Sequence, residues 1–250
     1  MKITKNIYMI ASGVLGGYRF THPFDCNVFM IDTGDGCIVV DSGGGLEPER
    51  IDKVVEELGF KMTDIKKLIL THYHVDHAGG GAHIWEKSGC DVYAPIKEVE
   101  CIRNGDEVAN GTADSKARGM VAPDYVFRAC PTAIGLDDGD VVTLGNVSLT
   151  AYTVNGHSEQ DLIVVGDIDG KQCMFCGDYV FCNGEVFLQA CPGCDLTDYT
   201  NGMNRLSTLK VDSIFPGHGV FALNDGIEFI NKSLSYWNSG MLPPQLFLMK

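Results

Sequence analysis

Three histidines and one aspartate fall within six residues of the sequence, in the stretch Leu70–Gly80 (LTHYHVDHAGG). These side chains are His72, His74, Asp76 and His77, and a pair of glycines follows them. Neutral imidazole nitrogens and carboxylate oxygens are the ligands that zinc, iron and manganese take in proteins. Four potential ligands on one short loop exceed what one metal ion with an open position needs. We therefore expect a fold that brings further ligands from distant parts of the chain to this loop.

Three later turns each place a potential ligand after an apolar segment and beside a glycine. They contain His157 in VNGHS (154–158), Asp178 in FCGDY (175–179) and His218 in FPGHG (215–219). The sequence therefore predicts that these three side chains join the histidine loop in one site. His22 and His83 are left over, and we expect them to be structural or to lie at the surface.

Apolar segments that end in turns predict strands, and apolar residues at helical spacing predict helices between some of them. Strands are predicted at residues 27–32, 37–41, 67–70, 141–144, 147–153, 162–165, 172–176 and 213–215, and helices at 48–58 and 197–210. Hairpins occur together with strand–helix alternation, so we expect two sheets packed face to face with helices outside them. One domain is expected to cover residues 1–250.

The two ends of this pattern are less regular. The N-terminal stretch resembles a signal peptide only faintly, and we predict that it forms a first strand and a turn. Residues 97–131 carry Asn, Gly, Asp and Pro, and we expect helices and loops that lie over a site.

The order of the motifs resembles that of the metallo-β-lactamase superfamily. The HxHxDH motif at His72–His77 is followed by a single histidine, His157, then by Asp178 and by a last histidine, His218. The strand and turn around Asp41 (VVDSG, 39–43) resemble the early Asp–x–Gly motif of that family. The resemblance covers residues 27 to 219. It implies an α+β fold, a four-layer αββα sandwich with a two-metal site at one edge.

The resemblance also implies a role for each of these side chains. His72, His74 and His157 would hold one divalent metal ion, Asp76, His77 and His218 would hold a second, and Asp178 would bridge the two ions. Asp41 would orient the histidine loop. Zinc is the expected metal, with iron or manganese as alternatives.

Two divalent ions ~3.5–4 Å apart share a water molecule and lower its pKa towards neutrality. The resulting bridging hydroxide can attack an electrophilic carbon without a serine or cysteine nucleophile. Asp178 is expected to hold this hydroxide and Asp76 to accept its proton, so both are candidate catalytic residues. Tyr179 follows Asp178, and contact with substrate and plain packing are both left open for it. The resemblance thus implies a binuclear metallohydrolase.

The residue at the bridging position distinguishes branches of the family. Asp178 counts against the true β-lactamases and resembles the glyoxalase II-like and lactonase-like members, which cleave thioesters, esters and lactones. Residues 220–250 after His218 are expected to be too few for the basic helical domain of glyoxalase II, so specificity for glutathione thioesters is not expected. We therefore expect hydrolysis of a small carboxylic ester, thioester or lactone. Three alternatives are left open: an iron-dependent oxidoreductase of the persulfide dioxygenase type, a phosphodiesterase, and a binding protein without activity.

Charge and hydropathy restrict the partners. The formal net charge is −14, and the 19 Lys and Arg residues form no basic run, so nucleic acid is not expected. No apolar run reaches the ~18–20 residues that span a bilayer, so no membrane partner is expected. We expect a small-molecule substrate and a cytoplasmic location. A homodimer is left open, with the apolar stretch 241–249 (MLPPQLFLM) sealing either the core or the dimer interface.

Ten cysteines are many for 250 residues. Because they accompany a metal motif, we predict free thiols in a reducing cytosol rather than disulfides. The pairs Cys173/Cys176 and Cys191/Cys194 approach a zinc-ribbon pattern. Against this, residues 173–176 lie in a predicted strand, where positions i and i+3 face opposite sides. The role of the two pairs is left open.

Overall fold

The structure is a computed structural model that describes residues 1–189 and 191–246. The end of the apolar stretch 241–249, from residue 247 onwards, lies outside the described residues. Eleven strands form two sheets within the described part of the chain. The first sheet has the spatial order β1 (Ile7–Ala11), β2 (Val28–Asp32), β3 (Cys37–Val40), β4 (Ile65–Ile69), β5 (Asp91–Pro95) and β6 (Ile134–Leu136). The second has the order β11 (Ser213–Pro216), β10 (Lys171–Gly177), β9 (Asp161–Ile168), β8 (Val147–Val154) and β7 (Val141–Leu144).

Strand direction explains where the helices lie. Strands β1 to β3 are antiparallel neighbours, β3 to β6 are parallel, and in the second sheet only β10 and β11 are parallel. Parallel neighbours need long crossovers, which carry helices here. The helices are α1 (Glu49–Glu57), α2 (Val75–Ala78), α3 (Gly81–Ser88), α4 (Val99–Asn104), α5 (Thr112–Ala117), α6 (Leu196–Leu206) and α7 (Ile227–Asn238).

The inner strands of each sheet are buried on both faces, whereas the edge strand β7 is exposed on one. In β2, Val28 and Met30 pack towards the helices, whereas Phe29 and Ile31 pack against the second sheet, as a side-chain period of two requires. Helices α1 and α3 cover the outer face of the first sheet, and α6 and α7 cover that of the second. The predicted α+β fold, a four-layer αββα sandwich, is therefore confirmed.

Most predicted elements occur within a few residues of their predicted bounds. The predicted helix 197–210 ends at Leu206 instead, because the Ser207 and Thr208 hydroxyls donate to the carbonyls of Asn204 and Arg205 and end the helical hydrogen bonding. The N-terminal segment forms the buried strand β1, as predicted. Residues 97–131 form α4, α5 and loops.

The zinc-ribbon alternative for the cysteines is wrong. Cys173 faces the core between the two sheets, whereas Cys176 faces the layer under α6 and α7. All ten cysteines are free thiols. Within residues 1–189 and 191–246, every helix is too short or too polar to cross a bilayer.

Candidate metal centre

The histidine loop follows β4, an inner strand of the first sheet. After this strand the chain bends at Thr71 and His72, and the single turn of α2 then brings Asp76 and His77 to the same site. His72 and His77 are completely buried. The loop therefore points its imidazoles into the edge of the sandwich rather than into solvent.

The second sheet supplies the other three predicted ligands at the same edge. His157 lies in the turn between β8 and β9, Asp178 follows β10, and His218 follows β11. Strands β10 and β11 are parallel, so their carboxyl ends lie side by side. All three side chains are buried, with at most 2% of their surface exposed.

Six of the seven predicted ligands form two neighbouring clusters of three. The first cluster is His72, His74 and His157, and the second is Asp76, His77 and His218. In each cluster the ligand atoms lie within 4.8 Å of one another. The His74 Nδ1 to His157 Nε2 distance is 3.0 Å, and the His77 Nε2 to His218 Nε2 distance is 3.3 Å.

Asp178 lies between the clusters. Its carboxylate oxygens are 3.1 Å from His77 Nε2, 3.2 Å from His218 Nε2 and 3.6 Å from His157 Nε2. One carboxylate thus reaches nitrogens of both clusters. The structure brings together every side chain that the sequence singled out, and their roles as metal ligands stay a prediction.

Backbone carbonyls orient two of the imidazoles. His157 donates from Nδ1 to the carbonyl of Phe187 at 2.9 Å, and His218 donates from Nδ1 to the carbonyl of Leu15 at 2.9 Å. A carbonyl can only accept, so the Nε2 atoms of these rings are left free to ligate. Such partners are typical of histidines that bind metal.

Asp41 has the contacts that its resemblance to the family implied. It follows β3 with a left-handed backbone, φ 63°, and is 2% exposed. Its carboxylate accepts from Thr71 N at 2.8 Å and contacts His77 Nδ1 at 2.8 Å. It therefore holds both the start of the histidine loop and the ring of one predicted ligand.

The protonation states of the first cluster fit a divalent cation. Burial lowers the pKa of His72 well below its ordinary value and lowers that of His74 to about 3, so both rings are neutral at pH 7. The buried Nε2 atom of His72 has no hydrogen-bond partner among the described residues. A buried neutral nitrogen without a partner, next to other nitrogens, is suited to zinc, iron or manganese.

The second cluster attracts positive charge. Burial disfavours ionisation of Asp178, but His218 and His77 beside it hold its pKa well below the usual range. Burial likewise opposes protonation of His218, but Asp178 and Asp76 raise its pKa to about 9. The carboxylates thus favour a cation at these rings, and a divalent metal ion would compete with the proton for them.

Glu98 is a site residue that the sequence analysis missed. It lies at the start of α4, is 2% exposed, and burial raises its pKa well above the ordinary value. Its carboxyl group accepts from Tyr73 N at 2.7 Å and from Gln160 N at 3.1 Å. Glu98 therefore joins the histidine loop of the first sheet to the His157 turn of the second. Its position in the irregular segment 97–131 carried no signal of this role.

We expect Glu98→Ala to weaken metal binding at the first cluster by roughly tenfold, because it leaves two buried N–H groups without partners and loosens both ligand loops. The measurement is a competition titration with a chromophoric chelator. Glu100→Ala is the matched control, since Glu100 lies on the same helix, is exposed and pairs with Arg103. Equal affinities in the two variants would rule out this role for Glu98.

Two open questions of the sequence analysis are resolved. Tyr179 is 0% exposed and donates to the carbonyl of Asn155 at 2.8 Å, so it packs in the core and does not reach a substrate. His83 pairs with Asp52 at 2.8 Å, and His22 Nδ1 accepts from Phe24 N at 3.2 Å. Both of these histidines are structural, as predicted.

Comparison with known proteins identifies the family. The model described as "Metallo-beta-lactamase superfamily" matches residues 22–218. The chain belongs to this superfamily. The human acyl-coenzyme A thioesterase MBLAC2 is 28% identical over 210 residues, which are 77% of this chain and 72% of that protein. The atrochrysone carboxyl ACP thioesterase of Aspergillus fumigatus is 21% identical over 200 residues, 79% of this chain and 52% of that protein.

A solved member of the metallo-β-lactamase superfamily has the same fold. BJP-1, a subclass B3 metallo-β-lactamase of Bradyrhizobium japonicum, superposes with a TM-score of 0.71 at 22% identity, over 96% of this chain and 91% of that one. This likeness concerns the fold alone. The chain spans about half of the fungal relative and about three quarters of the human one.

Proposed function

We propose that this member of the superfamily is a metal-dependent hydrolase that cleaves the thioester of a small acyl compound. The observation that carries the proposal is the pair of ligand clusters joined by Asp178 at one edge of the sandwich. The names of two curated relatives, both thioesterases, support a thioester over an ester or a lactone. We further propose that the protein is cytoplasmic and that it binds neither nucleic acid nor a membrane. The question whether it forms a homodimer is left open.

We propose a binuclear centre, with zinc as the first candidate metal. His72, His74 and His157 would hold one ion and Asp76, His77 and His218 the other, with Asp178 shared between them. When bound, two such ions supply Lewis acidity and an ionised water as nucleophile near neutral pH. The buried serines beside the ligands, Ser42 and Ser158, donate to the His77 carbonyl and to the Asp161 carboxylate, so we propose that the attacking oxygen comes from water.

The two candidate catalytic carboxylates differ in their surroundings. Asp178 is 2% exposed with a depressed pKa, so it stays ionised and accepts a hydrogen bond from the attacking water. The Asp76 side chain is 15% exposed and its Oδ2 lies 3.2 Å from His218 Nε2. Asp76 therefore reaches towards solvent and is the group that takes the proton as the C–O bond forms and the C–S bond breaks.

An apolar loop beside the second cluster supports an acyl substrate. Leu15, whose carbonyl holds His218, lies in the loop between β1 and β2. Val14, Tyr18 and Phe20 of this loop are 39%, 37% and 36% exposed. Exposed apolar side chains next to polar ligands are typical of a site that binds an apolar group at its reactive end.

The test is elemental analysis of protein purified anaerobically, followed by a substrate panel with the metal found. We expect about two zinc ions per chain and, among acyl thioesters, oxygen esters and lactones, the highest kcat/KM for thioesters. Chelator-treated protein is the inactive control. Iron together with sulfide-dependent oxygen uptake would favour the oxidoreductase alternative, and cleavage of bis-p-nitrophenyl phosphate alone would favour the phosphodiesterase. No turnover of any acyl compound would overturn the proposal.

A further inference from the structure

The sequence Cys191-Pro192-Gly193-Cys194 forms a tight turn next to the metal centre. The backbone N–H of Cys194 donates to the carbonyl of Cys191 at 3.3 Å, and Gly193 has a φ of 77°. A proline followed by a residue with positive φ is typical of a type II turn, whose ends lie within ~7 Å. Disulfides join Cα atoms up to ~6.8 Å apart, so the turn holds the two cysteines at a spacing that a disulfide can close.

The two thiols lie at the two ends of this turn and are reachable. Cys191 and Cys194 are both half-buried. The Cys194 Sγ accepts from the backbone N–H of Gln189 at 3.3 Å, and it precedes the N-terminus of α6. An N–H donor and a helix N-terminus both favour the thiolate, which is the reactive form.

This turn is packed against the turn that carries His157. The Cys191 Sγ donates to the His157 carbonyl at 3.7 Å, and Cys194 forms a backbone bridge with Gly156. A Cβ atom added to Gly193 would lie 2.2 Å from the backbone nitrogen of Glu159, so the two turns are in close contact. A change in the shape of one turn therefore displaces the other.

The second Cys-x-x-Cys pair of the chain provides an internal comparison. Cys173 and Cys176 lie on β10 and point into different core layers. They are buried and cannot approach each other while the strand is intact. The same spacing in sequence thus gives one pair that can be oxidised in the folded protein and one that cannot.

We propose that Cys191 and Cys194 are a site of reversible oxidation by a low-molecular-weight disulfide, and that closing their disulfide shifts the His157 turn and weakens metal binding there. In the first step the Cys194 thiolate attacks the reagent RSSR, forming a mixed disulfide and releasing RS⁻, which takes a proton. In the second, the Cys191 sulfur attacks the Cys194 sulfur and releases the second RSH. Two protein thiols thus lose two electrons and two protons, and one RSSR becomes two RSH.

The coupling to His157 follows from the contacts. The disulfide removes the S–H group through which Cys191 donates to the His157 carbonyl. It also brings the two free sulfurs to ~2.05 Å from each other, which changes the conformation of at least one of the two cysteines. His157 also donates from Nδ1 to the Phe187 carbonyl, so its ring is sensitive to a displacement of its own turn.

The experiment treats the metal-loaded protein with oxidised glutathione, then alkylates the remaining thiols, maps peptides by mass and measures metal retained against a fixed chelator concentration. We expect two of the ten cysteines to escape alkylation, as one disulfide within residues 191–194, with Cys173 and Cys176 still reduced. We expect about a tenfold loss of metal affinity, restored by reduction. None of these readouts requires a substrate, so failure here is distinguishable from failure of the proposed hydrolase function.

The control is the double variant Cys191→Ser/Cys194→Ser, compared with itself before and after the same treatment. We expect its metal affinity to be the same in both states. The proposal is overturned if the wild-type disulfide does not form in excess oxidised glutathione, if it forms without any change in metal affinity, or if the double variant loses metal as the wild type does.

Discussion

The variant Asp178→Asn will hydrolyse the best substrate of the panel on the order of 10³-fold more slowly than the wild type. The change removes about 4 kcal/mol of charge stabilisation, and each 1.36 kcal/mol corresponds to a tenfold change in rate. Asp178 lies 3.1 Å from His77 and 3.6 Å from His157, so its negative charge acts on both clusters. Asparagine has nearly the same shape and no charge. The bound metal should therefore fall together with kcat, and elemental analysis alongside steady-state kinetics measures both.

The matched control for this change is Asp35→Asn. Asp35 is exposed in the turn between β2 and β3. The melting temperature of each metal-free variant shows whether the substitution has removed only a metal ligand or has also destabilised the fold. Wild-type turnover and metal content in Asp178→Asn would contradict the shared position assigned to this carboxylate.

Asp41→Asn will weaken metal binding by about 10–100-fold, although Asp41 is not itself a predicted ligand. The Asp41 carboxylate contacts His77 Nδ1 at 2.8 Å and accepts from Thr71 N at 2.8 Å. An amide in its place has one acceptor oxygen instead of two, so one buried donor is left without a partner. Leaving a buried donor unpaired costs about 1–3 kcal/mol. The measurements are chelator competition, which reports the affinity, and thermal melting, which reports the fold.

Asp169→Asn is the control because Asp169 has a similar left-handed backbone, with φ 57° against 63° for Asp41. Its carboxylate is exposed and accepts from Thr4 and Asn6 at the surface. Asparagine tolerates this backbone conformation, so neither change adds strain there. If both variants bind metal as the wild type does, Asp41 does not support the histidine loop.

The fold could be predicted where the apolar pattern was regular. Strands such as β2 are buried on both faces and contain few residues other than apolar ones, so they were found close to their observed bounds. Strand β6 was missed because it has three residues, one of them exposed. Helix α3 was missed because it starts at Gly81 after two further glycines, which disfavour a helix. Its packing against the first sheet outweighs that preference.

The part of the candidate site that could be predicted is the set of side chains whose spacing in the sequence is characteristic. His72 to His77, His157, Asp178 and His218 all lie at one edge of the sandwich. The carbonyls of Phe187 and Leu15 could not be predicted, because every residue has a carbonyl and only the fold decides which one meets a histidine.

Each ligand cluster draws on both sheets, since His72 and His74 belong to the first and His157 to the second. A cation bound there would link the two sheets, in addition to their apolar core and the hydrogen bonds from Tyr73 and Gln160 to Glu98. At a free concentration a thousand times its Kd, such a ligand adds about 4 kcal/mol to the free energy of unfolding. With metal bound as proposed, the stability of the folded chain therefore rises with the supply of metal.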